Sequence, residues 1–328
     1  MISSTSSTNP ESLRKFRESR CKRGTFPMDS PKRSEGEPRF RKNRFMFTAI
    51  NGSIPLSDGF DVDFGQEALN CFNLKPDSYD DSTGRRTLIE KAAQGLIVEG
   101  EKVGKRREAE WMAQQLLNVK NETREIVWQC CARLYTTESF LYKKLNEVMR
   151  LVKDDSHEEL WERQLWKSKL ATFGPFAHLL VKMKRERSLH HVSKRTTVYR
   201  GANLPDHLIE QYQSSVKHIL REKGCYSYKL YIAFTSTSRN RAQAELIGNV
   251  LFVIDVDEVL DGTDIAPYSV FDEEEYLLDP HFNFEIESYN FDKATNKSII
   301  FLTSLTLEGA PPSFQYQSTR TRLIVMPS

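Results

Sequence analysis

Paired carboxylates are the most chemically suggestive feature of this sequence. Glu273 and Glu275 lie two residues apart, directly before the apolar run 276–278. In an extended chain, residues two apart point to the same face, so both carboxylates are expected to share one site. Like charges held that closely are unfavourable unless a cation or a reaction uses them. The pair therefore predicts a site that stabilises positive charge, with a solvated acidic turn as the alternative.

Arg200 and Ser236 are the next candidates, because each follows a strand-like run. Residues 196–199 and 228–235 are rich in β-branched and aromatic side chains, and in the second run apolar residues alternate with period two. We expect Arg200 and Ser236 to lie where these strands end. A guanidinium binds phosphate or ribose oxygens through a planar fork of donors. Taken alone, Arg200 would be interpreted as an ordinary exposed Arg before a turn, and Ser236 as an ordinary loop Ser.

The order and spacing of these groups favour a functional interpretation. Arg200 precedes Ser236 by 36 residues (236 − 200), and Ser236 precedes Glu275 by 39 (275 − 236). This order of Arg, Ser-Thr-Ser and Glu-x-Glu resembles the arginine-specific mono-ADP-ribosyltransferase family. The resemblance covers roughly residues 123–325 and includes an upstream helical segment. That segment contributes Tyr135-Thr136, Tyr142-Lys143-Lys144-Leu145-Asn146 and Arg150.

The resemblance implies transfer of ADP-ribose from NAD to an arginine of an acceptor protein, with release of nicotinamide. Breaking the nicotinamide–ribose bond spreads positive charge over the ribose, as in glycoside cleavage. By similarity, Glu275 would stabilise this charge and hold the ribose 2′-hydroxyl. Glu273 would hold the acceptor guanidinium, which stays protonated at ordinary pH. In this family, Glu rather than Gln at this position goes with arginine as the acceptor.

The same resemblance assigns the NAD contacts. Arg200 would bind phosphate or ribose oxygens, and the backbone of Gly201, which has no Cβ, would approach the nicotinamide carboxamide. Ser236 would position Glu275 or the ribose. Arg239 or Arg241 would pair with the pyrophosphate, with exposed arginines at the start of a polar helix as the alternative. The expected cofactor-binding set is Arg200, Gly201, Ser236, Thr237, Ser238, Arg239 and Glu275, and the expected catalytic set is Arg200, Ser236, Glu273 and Glu275.

The segment 264–272 would, by resemblance, be the loop that turns toward the acceptor protein. Tyr268 or Phe271 would then offer it an aromatic surface. A structural aromatic is an equal alternative.

Common nucleotide and metal motifs do not occur in this sequence. No Gly-x-Gly-x-x-Gly follows a strand and no Walker loop is present, so NAD must be bound in another way. The five cysteines lack zinc-ligand spacing, and His-Glu-x-x-His is absent, so we expect no metal. His190-His191 is interpreted as a solvated helix end, and Asp255, Asp257 and Glu258 as an acidic turn.

Charge is concentrated at the N-terminus. Residues 1–45 carry twelve Lys or Arg and five Asp or Glu, whereas the remainder has 35 basic and 40 acidic residues. Residues 1–44 are therefore expected to be a disordered basic tail, with weak attraction to acidic membranes, nucleic acid or a partner as the alternative. No apolar run approaches a membrane span or a signal peptide. With an odd cysteine count, this predicts a cytoplasmic protein with reduced thiols.

The rest of the chain predicts an α+β architecture, with a helical lobe packed on a strongly bent two-sheet β-core. Residues 45–104 are assigned as an extension packed on the main body, 105–193 as the helical lobe, and 194–328 as the β-rich NAD-binding core. By resemblance, NAD would lie in the cleft between lobe and core. Within the lobe, Gly174-Pro175 is expected to separate two helices. Its core is expected to contain Leu145, Val148, Met149, Val152, Phe176, Leu179, Leu180 and Met183, with Trp111, Trp128, Trp161 and Trp166 as anchors. Further strands are expected at 250–256, 298–307 and 321–326.

Two other functions remain open at this point. The same triad could hydrolyse NAD without a protein acceptor. The chain could also be a binding module that kept the fold and lost catalysis, although the intact set Arg200, Ser236 and Glu275 argues against it.

Overall fold

The computed structural model describes residues 64–75, 81–152, 160–181, 194–221, 229–269, 271 and 274–305, and all of them belong to one compact unit. The expected basic tail, Met183, the His190-His191 pair and the expected strand at 321–326 lie outside the described residues. None of the described helices combines the length and the apolar character that crossing a bilayer requires.

Helices form the N-terminal part of the described chain. Three of them begin at a side chain that accepts a backbone N–H: Asp81 from Thr83 and Gly84, Thr123 from Ile126, and Ser139 from Leu141. Such caps satisfy donors that the first helical turn leaves without a partner. The helices are α1 (Phe64–Cys71), α2 (Ser82–Lys102), α3 (Arg106–Asn118), α4 (Arg124–Thr136), α5 (Phe140–Met149) and α6 (Leu160–Val181).

Helix α2 lies in the segment assigned as an extension and shares one hydrophobic core with α3 to α6. Its packing face is built partly from glycine. A Cβ at Gly95 would lie 2.0 Å from the Thr172 carbonyl oxygen of α6, and one at Gly100 would lie 2.3 Å from the Ala109 Cβ of α3. Small residues let the helix axes approach closely, but they leave a weak apolar periodicity in the sequence. That is why the sequence analysis did not assign this helix.

Helix α6 continues through Gly174-Pro175, so the expected break between two helices is wrong. A proline inside a helix costs about 3 kcal/mol because it removes an N–H and crowds the preceding turn. Here Phe173, Phe176 and Leu179 around it are buried, and that packing outweighs the cost. A Cβ at Gly174 would lie 2.1 Å from the Ala68 Cβ, so this glycine lets α1 cross α6.

The expected core of the helical part is otherwise confirmed, with one exception. Apart from Met183, which lies outside the described residues, all seven expected aliphatic and aromatic core residues are buried. Trp128 and Trp166 are buried as well, and Trp111 is partly buried. Trp161 is 48% exposed, so its assignment as a core anchor is wrong. It lies at the start of α6, beside the exposed Leu160.

The described residues of the C-terminal part form a mixed sheet of eight strands with the order β2-β7-β8-β4-β1-β3-β6-β5, which confirms the α+β class. The strands expected in two sheets are hydrogen-bonded in one continuous order. Among these described strands, only β4 and β8 pair in parallel. The strands are β1 (Arg195–Ala202), β2 (Lys229–Tyr231), β3 (Thr235–Ser238), β4 (Val250–Asp257), β5 (Gly262–Asp264), β6 (Glu275–Leu278), β7 (Phe282–Asp292) and β8 (Lys297–Ser304), with helices α7 (Asp206–Arg221) and α8 (Arg241–Glu245) between them.

Strand β6 shows how the sheet separates two cores. Leu277 packs into the core of the helices, whereas Tyr276 and Leu278 pack into a second core with α7 and strands β1, β4, β7 and β8. This alternation follows from the pleat of a strand. The residues of β6 that share a face with Leu277 therefore look toward the helices, and Glu275 is one of them.

Candidate functional site

Arg200 and Ser236 are in direct contact. The Nη1 of Arg200 donates a hydrogen bond of 2.6 Å to the carbonyl oxygen of Ser236, and both residues are buried. Neither lies at a strand end as expected. Arg200 lies inside β1, which continues because Gly201 and Ala202 still pair with β4, and Ser236 is the second residue of β3. The predicted run 228–235 is in fact divided between β2 and β3.

Glu275 is brought to the same place by the pairing of β3 with β6. Ser238 is directly opposite Glu275, and Ser236 is opposite Leu277. Directly opposed residues project to the same face with Cβ atoms about 5 Å apart, and diagonal neighbours on that face are about 7–8 Å apart. Ser236, Ser238 and Glu275 therefore share one face of the sheet. The Glu275 side chain is fully buried.

The chain is not extended immediately before Glu275. Glu274 has a φ of 45°, in the left-handed region that non-glycine residues rarely adopt. Its carbonyl oxygen accepts from the Arg239 N–H (3.0 Å), and its Oε1 accepts from the Asn240 Nδ2 (3.1 Å). The alternation that was expected to align Glu273 with Glu275 is therefore interrupted at Glu274. Glu273 itself lies outside the described residues.

A second arginine strengthens the positive charge of the site. Arg150 follows helix α5 directly, and burial lowers its pKa. The pKa of Arg200 is lowered to about 10, first by burial and then by the like charge of Arg150. A positive charge that disfavours a buried guanidinium favours an anion beside that guanidinium. Arg150 was part of the family resemblance but was not assigned to the site.

The helices meet the sheet at Tyr135. Its hydroxyl accepts a 2.7 Å hydrogen bond from Asn146 Nδ2, and its ring lies 5.5 Å from that of Phe234. Phe234 immediately precedes β3, the strand that contains the Ser-Thr-Ser run. Two segments carried the family resemblance, one in the helices and one in the sheet. They pack against each other here, although they are about a hundred residues apart in the sequence.

Two buried tyrosines complete the surroundings of Arg200. Burial raises the pKa of Tyr212 on α7 and raises that of Tyr231 on β2 to about 12, and the charge of Arg200 opposes both shifts. Both phenols therefore stay neutral at physiological pH. The sequence analysis missed them because a buried tyrosine in an apolar run resembles any other core aromatic.

Gly201 has a packing role that the sequence analysis did not foresee. A Cβ at this position would lie 2.1 Å from the Ala244 carbonyl oxygen and 2.7 Å from the Ile247 Cβ. The missing Cβ therefore admits helix α8 and the turn after it, whereas the expectation was close approach of a ligand. The absence of a Cβ at Gly201 is therefore explained by helix packing and not by a ligand. The expected contact of the Gly201 backbone with the nicotinamide carboxamide stays a prediction.

The other residues of the Ser-Thr-Ser run serve local structure. Thr237 points to the opposite face from Ser236, and its hydroxyl donates to the Tyr276 carbonyl oxygen at 2.6 Å. The Ser238 hydroxyl accepts from the Asn240 N–H at 3.0 Å, at the start of α8. Ser238 thus couples the site to the segment that covers Gly201.

The two arginines after this run have partners within the protein. The Arg239 guanidinium lies 5.5 Å from the ring centroid of Tyr276, 3.6 Å from Asp264 and 3.9 Å from Glu258. Tyr276 projects to the face opposite Glu275, so Arg239 is not brought together with Glu275. Arg241 pairs with Glu245 one turn later in α8. Contact of either arginine with a pyrophosphate stays a prediction.

The segment before Glu275 is folded onto the helices. Residues Ala266–Tyr268 form a 3₁₀ turn, and the ring of Tyr268 packs edge-on against Trp128 of α4 with centroids 5.0 Å apart. Tyr268 is therefore a structural aromatic, the alternative that the sequence left open. Phe271 is half-buried, and its N–H donates to the Ser269 hydroxyl.

Metal ligands do not cluster anywhere in the part of the chain that the structure describes. The carboxylate at the end of β4 accepts hydrogen bonds from the backbone of the turn that follows. Asp257 is buried, and its Oδ1 accepts from the N–H groups of Val259 and Leu260.

Comparison with known proteins gives similarity to solved structures alone. No protein-family model matches the chain. No curated protein matches it. The structure is similar to the ADP-ribosyltransferase HopU1 of Pseudomonas syringae pv. tomato, with 19% identity over 59% of this chain and 82% of that one and a TM-score of 0.41.

Two further structures show similarity of the same kind. The Clostridium limosum C3 exoenzyme is 16% identical over 60% of this chain and 92% of its own, with a TM-score of 0.39. Exoenzyme S of Pseudomonas aeruginosa, solved with human 14-3-3 protein beta and carba-NAD, is 15% identical over 73% of this chain and 99% of its own, with a TM-score of 0.37. These identities relate the folds alone.

Proposed function

We propose that this protein is a mono-ADP-ribosyltransferase that moves ADP-ribose from NAD to an arginine side chain of an acceptor protein. The observations that carry the proposal are that Arg200 contacts Ser236 and that the pairing of β3 with β6 places Glu275 on the face of Ser236. These residues were selected from the sequence alone, and they are separated by 36 and 39 residues (236 − 200 and 275 − 236).

The charges of the site fit NAD. A pyrophosphate is a dianion, and the partly buried Arg150 and the buried Arg200 offer two guanidinium groups. An anion would relieve the repulsion that the charge of Arg150 exerts on Arg200. A ribose that loses nicotinamide becomes positively charged, and Glu275 is a buried carboxylate on β6, which β3 separates from β1. Arginines on one side of β3 and a carboxylate on the other suit a substrate with a phosphate part and a developing cation.

Each residue has a separable task in this proposal. Arg200 and Arg150 bind and orient the phosphates. Glu275 stabilises positive charge at the ribose and accepts a hydrogen bond from its 2′-hydroxyl. Such preorganised electrostatic groups act strongly where water is excluded. Ser236 and Ser238 line the same face and hold the position of β3 relative to β6.

Arginine as the acceptor depends on Glu273, which lies outside the described residues. A carboxylate there would hold the incoming guanidinium and take up a proton as the new bond forms at the ribose carbon. The partner would be an acceptor protein with an exposed arginine. NAD hydrolysis is the second candidate, because the residues that the structure brings together suffice for cleavage without Glu273.

Product analysis tests the proposal and separates the two activities. Labelled NAD is incubated with the protein and a small guanidino compound, using wild type and Glu273→Gln. We expect labelled guanidino product from wild type, and from Glu273→Gln only free ADP-ribose with nicotinamide. Free ADP-ribose as the only product of wild type would favour the hydrolase. Equal loss of both activities in Glu273→Gln would contradict the division of tasks.

A further inference from the structure

Trp128 and Tyr268 form a contact between the helices and the segment that leads to Glu275. Their rings meet edge-on, with centroids 5.0 Å apart and planes at 82°. Aromatic pairs in this geometry are stabilised beyond the area that they bury. The contact joins α4 to the segment that connects β5 with β6.

The helix side of this contact is fixed. Trp128 is 6% exposed, and its Nε1–H donates a 3.1 Å hydrogen bond to the Leu180 carbonyl oxygen near the end of α6. Burial raises the pKa of Tyr268, and the neighbouring Gln129 of α4 opposes this rise. The geometric contact that holds Tyr268 against α4 is therefore the ring contact with Trp128.

The sheet side of the contact reaches the backbone of Glu275 in two steps. The Tyr268 N–H donates to the Ile265 carbonyl oxygen at 3.0 Å. The Ile265 N–H donates to the Glu275 carbonyl oxygen at 3.1 Å. Ile265 is itself fully buried in the core of the helices. A displacement of Tyr268 would thus be passed to Glu275 through one buried residue.

We propose that Tyr268, clamped by its ring contact with Trp128, is a positioning residue that fixes the backbone of Glu275 relative to the helices. The part of this inference that concerns rate rests on the proposed function. Tyr276, the residue after Glu275, is anchored on the opposite face of the sheet. Its hydroxyl donates to the carbonyl oxygens of Asp257 and Glu258, at 3.4 and 3.2 Å. The clamp would therefore set the fine position of Glu275 and leave β6 in the sheet.

Hydrogen exchange of the Ile265 amide tests the clamp without any substrate. The full chain is compared with Tyr268→Ala, Tyr268→Phe and Trp128→Phe. Tyr289→Ala is the matched control, since Tyr289 is also partly buried but packs in the other core. We expect Tyr268→Ala to speed exchange at Ile265 by about two- to tenfold, the scale of one lost aromatic pair. Tyr268→Phe keeps the ring contact and stays near wild type, and Trp128→Phe lies between.

Kinetics provide the second measurement. In Tyr268→Ala, kcat for NAD cleavage is expected to fall by about tenfold while KM for NAD changes by less than about twofold, because the phosphate-binding arginines are not attached to the clamp. Tyr268→Phe should restore kcat. Unchanged exchange at Ile265 in Tyr268→Ala, or a rise in KM at constant kcat, would overturn the proposal. If wild type does not cleave NAD, the proposed function fails, and the exchange result still decides whether the clamp exists.

Discussion

Ser238 on β3 stands directly opposite Glu275 on β6, and this pairing places Glu275 on the face of the sheet that looks toward the helices. The register of a strand pair is set by all its residues together. Here Thr235, Ser236 and Thr237 pair in turn with Leu278, Leu277 and Tyr276. A slip of one residue would send Glu275 to the opposite face. The buried leucine and tyrosine of β6 therefore stabilise the position of the carboxylate as well as the core.

Arg150 is expected to contribute to NAD binding through its charge. Arg150→Gln removes one of the two guanidinium groups, and losing a charge-assisted hydrogen bond costs about 1.5–3 kcal/mol. We expect NAD to bind about ten- to a hundredfold more weakly, with a shallower salt dependence. Calorimetric titration at two salt concentrations measures both. The control is Arg133→Gln, a change of the same kind on α4, and equal affinities for NAD in wild type and Arg150→Gln would contradict the role of Arg150.

Gly201→Ala tests whether this glycine serves packing. The new Cβ would meet the Ala244 carbonyl oxygen at 2.1 Å, so α8 must move away from β1. Overpacking of this kind costs about 1–3 kcal/mol, and we expect a lower Tm and faster proteolysis near α8. Gly104→Asn is the control, because Gly104 has open space around it and asparagine tolerates its left-handed backbone. An unchanged Tm for Gly201→Ala would contradict the packing role.

Glu99 is expected to make stability depend on acid pH. It is buried on α2 and accepts hydrogen bonds from Lys102 (2.9 Å), Lys169 (2.5 Å) and Thr172 (3.0 Å). Burial favours a higher pKa, but the hydrogen bonds from the two lysines outweigh it, and the pKa of Glu99 is lowered. A carboxyl with a lowered folded-state pKa stabilises the fold above its unfolded value of 4.5, and this stabilisation is lost as pH falls through the folded value.

The matching experiment is urea unfolding of wild type and Glu99→Gln from pH 7 to pH 3. At pH 7 the variant should be less stable by about 2 kcal/mol, because two lysines lose their charged partner. The difference should shrink below about pH 4.5, as Glu99 becomes protonated in the unfolded wild type. A difference that stays constant over this range would show that the charge of Glu99 does not stabilise the fold.

Part of the candidate site was predictable from the sequence because its chemistry depends on residue types near strand ends. Arg200, Ser236 and Glu275 were selected from type and order; the structure places Arg200 in contact with Ser236, and Glu275 on the same face of the sheet as Ser236. Arg150 was visible in the helical segment of the resemblance. Its effect on Arg200 was not visible, because the effect of one guanidinium on another depends on their distance in the folded chain.

The parts of the fold that were not predictable depend on close packing between distant segments. Gly95 and Gly174 look like helix-weakening residues until Thr172 and Ala68 are placed beside them. Pro175 predicts a break until the burial of its neighbours is known. The left-handed backbone of Glu274 likewise has no local signal, because its partners Arg239 and Asn240 lie far away in the sequence, between β3 and α8.

The most direct test of the central claim is the rate of nicotinamide release from NAD by wild type and Glu275→Gln. The substitution keeps the shape of the buried side chain and removes its charge. Glu287→Gln, an exposed carboxylate on β7, is the matched control. We predict a loss of about a hundred- to a thousandfold in Glu275→Gln, with the control at the wild-type rate. Release by Glu275→Gln at the wild-type rate would contradict the assignment of Glu275, and with it this account of the site.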